Sequence, residues 1–186
     1  MDEPVSDDAR LSDVLAGLDA QADATFAAAD DQAAEELARA AWAEVALLDR
    51  VRAVGRIVLE VAEHGPVGGD VLDVGRDVVV LRSEDGEWAV PSWGIAAVLG
   101  ADEAVVVADS ASARLGLAAV ARAWSRSRGT VRVLRRGSVP LDGTIDAVGA
   151  DHLDLAEHDP GVPRRSAEVR RMIAVPLAAI TAIRRR

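Results

Sequence analysis

The chain contains no cysteine, no lysine and no tyrosine, and only one phenylalanine and four tryptophans among 186 residues. Without cysteine there is no disulfide, no thiol nucleophile and no thiolate-bound metal. Without lysine the phosphate-loop signature G-x-x-x-x-G-K cannot be written. The glycines around Pro66 (Gly65, Gly68, Gly69) therefore read as turn and bulge residues. The three histidines, His64, His152 and His158, show no metal-ligand spacing, so neither a metal nor another cofactor is expected. No apolar run approaches the roughly 20 residues of a membrane-spanning helix. The opening residues Asp2, Glu3, Asp7 and Asp8 have the wrong charge for a signal peptide. The expected location is cytoplasmic, with no membrane partner.

What is present is a large aliphatic fraction and an uneven charge. Hydrophobic residues make up 50% of the chain, enough for a real core built from Ala, Val and Leu. The net charge of −10 conceals a split: residues 1–111 hold 24 of the 31 acidic side chains and only 7 of the 21 arginines. The remainder is basic, which suggests an acidic arm and a basic patch.

The main organising feature is an internal repeat. V-G-G-D-V-L-D-V-G-R-D-V-V-V-L at Val67–Leu81 returns as L-D-G-T-I-D-A-V-G-A-D-H-L-D-L at Leu141–Leu155, with a constant offset of 74. Gly69 maps to Gly143, Gly75 to Gly149 and Asp77 to Asp151. Val90-Pro91 with Ile95 then maps to Val175-Pro176 with Ile180 at an offset of 85. The 11 additional residues fall in Glu157–Arg171.

Read in order, residues 1–19 form an acidic, partly disordered lead. Residues 20–54 read as one long helix, because 13 of the 27 residues from Ala20 to Ala46 are alanine. Ile57, Leu59 and Val61 then alternate as a half-buried strand does. Strands are expected at Val67–Val74, Val78–Arg82, Trp88–Val90 and Ile95–Leu99, making 55–100 a small, strongly bent barrel. Residues 101–111 read as a linker. Residues 112–186 repeat the plan: a helix to about Arg126, capped by Ser110 or Ser112 with Leu115, Ala119, Val120 and Trp124 inward, then a second barrel with an extended hairpin at 157–171. The expected fold class is α+β, mainly β, with two tandem five-stranded barrels, each preceded by a helix.

The pattern apolar-x-Gly, apolar-Gly-x-Asp, apolar-x-Leu, hairpin, Val-Pro-x-x-x-Ile resembles Sm-like and related SH3-like small barrels, and more loosely the PRC-barrel. The whole chain is similar to uncharacterised proteins of high-GC bacteria. The resemblance implies fold. Sm-like proteins bind RNA through a polar residue, usually Asn, after the motif Asp, and through an Arg-Gly pair before the last strand. Here Val78 follows Asp77, His152 follows Asp151, and the final blocks A-V-P-S-W-G-I and A-V-P-L-A-A-I lack Arg-Gly.

No polar set converges on a reaction. Asp77 and Asp151 recur at matched turns, where an Asp accepts backbone N–H bonds. Recurrence favours a fold role, because a shape constraint repeats in both copies whereas an active site need not. Trp88 maps to Ile173 and reads as core, while Trp93 maps to Ala178 and is a candidate partner contact. Arg135, Arg136, Arg164, Arg165, Arg170 and Arg171 form a candidate nucleic-acid or partner surface, with Arg184–Arg186 at the end of the chain. Two readings follow. The first is a non-enzymatic interaction or scaffold protein with a protein partner, self-association through the N-terminal helix included. The second is an RNA- or DNA-binding regulator using the arginines of the second barrel.

Overall fold

The computed structural model describes residue 21 and residues 32–101, 114–160 and 169–185. The chain divides into two compact units, Met1–Val45 and Ala46–Arg186. In the first, residue 21 is helical and residues 32–43 form a helix, α1. Leu37 and Trp42 on it are exposed.

The expected single helix over 20–54 is interrupted. After α1 the chain leaves helical geometry, with Ala46 extended, and a separate helix α2 occupies Leu47–Arg52. The two segments differ in what they bury. Every described residue of α1 is exposed, whereas α2 sinks Val51 completely into a core. Alanine propensity made the two segments look alike, but docking of an apolar face determines where α2 lies.

The described residues of the second unit form ten strands: β1 Arg56–Val61, β2 Gly65–Val74, β3 Val78–Ser83, β4 Gly86–Pro91, β5 Ile95–Leu99, β6 Thr130–Arg135, β7 Ser138–Val148, β8 His152–Glu157, β9 Arg171–Pro176 and β10 Ile180–Arg185. Helix α3, Leu117–Ser127, precedes β6. The strands lie where the alternation and the repeat place them. β1 shows strict exposed–buried alternation, and the turn after Pro91 is 3-10, Ser92–Gly94.

How the strands assemble overturns the expectation of two separate barrels. All ten belong to one open antiparallel sheet in the order β5-β1-β2-β3-β4-β10-β6-β7-β8-β9. Each half keeps the same internal order, with its fifth strand folded back beside its first. The halves join where β4 meets β10, through Ala89↔Ile183, Trp88↔Arg184 and Glu87↔Arg185. A separate barrel would have left the edge groups of β4 and β10 without ladder partners, and this join satisfies them.

The cores are shared as well. One cluster holds Val51, Ile57, Leu59, Val79, Leu81 and Trp88 from the first half together with Leu134 and Ala182 from the second. The other holds Leu117, Trp124, Val133, Leu153 and Ile180 from the second half together with Val78, Val80 and Ala89 from the first. Strand β3 is thus buried on both faces, which is why it reads V-V-V-L without alternation. Its repeat counterpart β8, H-L-D-L, has Leu153 and Leu155 buried and His152 and Asp154 half exposed.

The repeat glycines shape the bend. A Cβ at Gly69 would overlap the carbonyl oxygen of Arg82, and one at Gly143 would overlap that of Ala156, the same position 74 residues on. Register shifts follow at Val71/Asp73 in β2 and at Ile145/Ala147 in β7, again 74 apart. Close backbone approach at the glycine and a bulge two to four residues later curve both long strands in the same way.

Candidate functional site

The arginines are the main candidate surface in the sequence. Arg171 lies at the start of β9 and its Nε donates to Glu157 Oε2 at 2.5 Å across the β8–β9 ladder. That hydrogen bond holds the Glu157 carboxyl below its usual range and raises the Arg171 guanidinium. Arg170 pairs with Asp159 at 2.7 Å. Arg135, at the end of β6, donates through Nη2 to the Val139 carbonyl at 2.8 Å. Arg136 donates to the Trp93 carbonyl at 3.3 Å. The structure therefore brings Arg135, Arg170 and Arg171 around Glu157, with two of the three charges matched locally. Arg164 and Arg165 lie outside the described residues.

Trp93 belongs to the join. Its Nε1 donates to the Ile180 carbonyl at 2.9 Å, and 37% of the residue remains exposed. Beside it, Gly94 approaches β10 so closely that a Cβ would overlap the Thr181 carbonyl oxygen. The Gly137 N–H donates to Glu63 Oε2 at 2.6 Å, tying the β6–β7 turn to the β1–β2 turn.

The terminal arginines also serve the join, a role that the sequence reading missed. Arg184 pairs with Asp85 at 2.5 Å and lies 5.5 Å from the Trp88 ring centroid. Arg185 pairs with Glu87 at 2.6 Å and lies 4.9 Å from the Trp124 centroid. Burial pushes the Asp85 carboxyl up, but hydrogen bonds from Trp88 and Arg184 outweigh it and leave it low. Glu87 behaves in the same way, with Arg185 and Arg82 opposing the burial. The open cleft beside this cluster is lined by Arg82, Glu87, Trp124, Ser127 and Arg185. Arg82 and Arg185 both pair with Glu87 there. The signal that could have revealed this was asymmetry within the repeat: Arg184-Arg185 stand where the first copy has Leu99-Gly100.

The paired aspartates diverge in their side chains and agree in their backbones. The Asp77 carbonyl accepts from Ser92 N–H at 2.8 Å, and the Asp151 carbonyl accepts from Leu177 N–H at 2.7 Å. The Asp77 carboxylate accepts the Leu117 N–H at 2.7 Å and so caps the start of α3 from outside the helix. Helix α3 starts at Leu117, and Ser110 and Ser112, the caps read from sequence, lie outside the described residues. Leu115, expected inward, precedes the helix and is exposed, while Ala121 and Trp124 are buried. Asp151 instead accepts from His152 Nδ1 at 2.8 Å at the surface. That hydrogen bond lowers the Asp151 carboxyl and raises the His152 imidazole. The two carboxylates thus have unlike partners and no common site.

His158 is buried. Its Nδ1 faces the Asp159 carbonyl at 3.0 Å and so donates, which leaves Nε2 to accept from the Thr144 hydroxyl at 2.9 Å. Both nitrogens are committed to the fold. Among the described residues no group of His, Asp and Glu is placed to hold a metal ion, and no helix is long and apolar enough to cross a membrane.

Among the described residues, large apolar side chains also stand exposed. On the outer face of the first half, Val58 pairs across the ladder with Leu99 on one side and Gly68 on the other. Val58 is 36% exposed and Leu99 55%. At the opposite end of the sheet, Met172 of β9 is 52% exposed. No family model matches the chain, and no curated protein is found similar to it.

Proposed function

We propose that this protein is a non-enzymatic interaction protein whose sheet edges and outer face receive a macromolecular partner. One observation carries the reading: Asp77, Asp151, Glu87, Glu157, His152 and His158 are each paired within the fold, while large apolar side chains stand exposed near the ends of the sheet. Asp77 caps a helix, His158 and Thr144 satisfy each other in the core, and Glu87 is held between two arginines. Val58 and Leu99 form an exposed apolar pair at the β1–β5 end of the sheet. Removing such side chains from water against a partner is favourable.

The nucleic-acid alternative draws less support. Arg170 and Arg171 each face a carboxylate, and base-stacking aromatics beside them are absent among the described residues. The test is purification of the native protein with and without nuclease. The reading predicts that a bound protein survives nuclease and is released by Val58→Lys with Leu99→Lys. Binding that vanishes with nuclease and falls steeply with salt would replace it with the nucleic-acid reading. Turnover of a substrate that disappears in Asp77→Asn or Asp151→Asn would refute both.

A further inference from the structure

The join inside the chain uses one edge from each half: β4, the fourth strand of the first copy, and β10, the fifth strand of the second. That use leaves β9, the fourth strand of the second copy, and β5, the fifth strand of the first, at the two ends of the sheet. The free edges are therefore of the two types that the chain already knows how to pair.

Among the described residues neither end strand has a ladder partner on its outer side. Ile95-Ala96-Ala97-Val98-Leu99 contains no charge and no proline, and the middle of β9, Met172-Ile173-Ala174-Val175, is apolar between Arg171 and Pro176. Exposed edges of this composition are templates for pairing with another chain. Carrying the internal register across by the repeat offset of 85 places Leu99 opposite Ile173 and Val98 opposite Ala174. Where the internal join sets Arg184 and Arg185 against Asp85 and Glu87, the outer one would set apolar side chains against each other. Leu99 then packs beside Ile173, and Met172 falls opposite Gly100 on the other face of the ladder.

One residue limits the strength. Gly94 lets the internal join close, because a Cβ there would overlap the Thr181 carbonyl. Ala179 holds the equivalent position beside β9 and carries that Cβ. It would press on the backbone of Ala96 in a neighbouring chain.

We propose that copies of this chain associate head to tail, β9 of one pairing antiparallel with β5 of the next in the register Leu99↔Ile173, and that Ala179 keeps the association weak. This proposal rests on the interaction reading above and names a second copy as the partner. Because the interface is heterologous, association grows with concentration unless the rotation between copies closes a ring.

The experiment is sedimentation velocity of the full chain over a wide concentration range. The wild type should associate reversibly, and Ala179→Gly should tighten association on the order of tenfold by removing the overpacked methyl. Leu99→Lys and Met172→Lys alter exposed side chains, so both should fold, which circular dichroism checks, and each alone should be monomeric. Mixed one to one, they should form a dimer and nothing larger, since one chain keeps a usable β9 and the other a usable β5. Three results would overturn the proposal: a wild type and an Ala179→Gly variant that both stay monomeric, association that survives either lysine variant alone, or a mixture that stays monomeric. If the proposal fails but a different protein is still held at the Val58–Leu99 face, the interaction reading stands without it.

Discussion

Leu134 belongs to β6 of the second half but is buried to 6% exposure in the core cluster of the first, beside Ala182 and with Val79, Leu81 and Trp88. Leu134→Ala therefore tests whether the halves share a core. The truncation removes three carbon groups, about 2.4 kcal/mol of transfer free energy at ~0.8 kcal/mol each. The residual cavity brings the cost to about 3 kcal/mol, inside the ~2–5 range for buried Leu→Ala. A loss of that size raises the unfolded population on the order of a hundredfold. For a body of this length it lowers the midpoint by about 6–12 °C. Amide hydrogen exchange shows where the loss is felt. With a shared core, protection should fall in β1 and β3 of the first half as well as in β6. Thermal unfolding should remain a single transition. Faster exchange confined to residues 117–185, with 56–99 unchanged, would refute the shared core, and with it the account of why one sheet forms rather than two barrels.

Three further outcomes follow from the same geometry. Asp77→Ala removes the tertiary cap of α3 and should cost about 1 kcal/mol, lowering the midpoint by a few degrees, whereas its repeat partner Asp151→Ala should leave the midpoint unchanged. Gly94→Ala pushes a methyl into the Thr181 carbonyl and should destabilise by about 1–3 kcal/mol in chemical denaturation; an unchanged midpoint would show that the turn is free to move. Glu87 and Asp85 are held below their ordinary values, so their contribution is present above about pH 4.5 and is lost as pH falls through the lower folded values. Acid should therefore loosen the β4–β10 join, and Glu87→Gln should flatten the acid limb of stability against pH.

The arginine surface shows how sequence arithmetic can mislead. Counting charges along the chain gives a basic second half, but Arg170, Arg171, Arg184 and Arg185 each reach a carboxylate across a ladder or across the join. For Arg184 and Arg185 the partners lie 99 and 98 residues away, a separation that composition cannot see. Trp93 was likewise legible as something other than core, but not as the donor to Ile180. What the repeat did reveal correctly was the shared backbone turn at Asp77 and Asp151, because both carbonyls accept from the residue after the Val-Pro block. The side chains parted because the start of α3 lies beside Asp77, whereas Asp151 faces His152.

Periodicity and repetition along the chain determined where the strands lie, where the long ones bend, and which positions of the two copies correspond. These follow from side-chain alternation and close backbone approach, which act between residues near in sequence. Tertiary structure alone decided which edges meet, because any fourth strand offers the same backbone groups to any fifth. The choice of β10 for β4 came from packing on both faces of β3, from Gly94 making room, and from two arginines finding two carboxylates. Its traces were already written as departures from the repeat: V-V-V-L against H-L-D-L, Gly94 against Ala179, and Arg184-Arg185 against Leu99-Gly100. Each departure acquires its meaning only once the partner strand is in place.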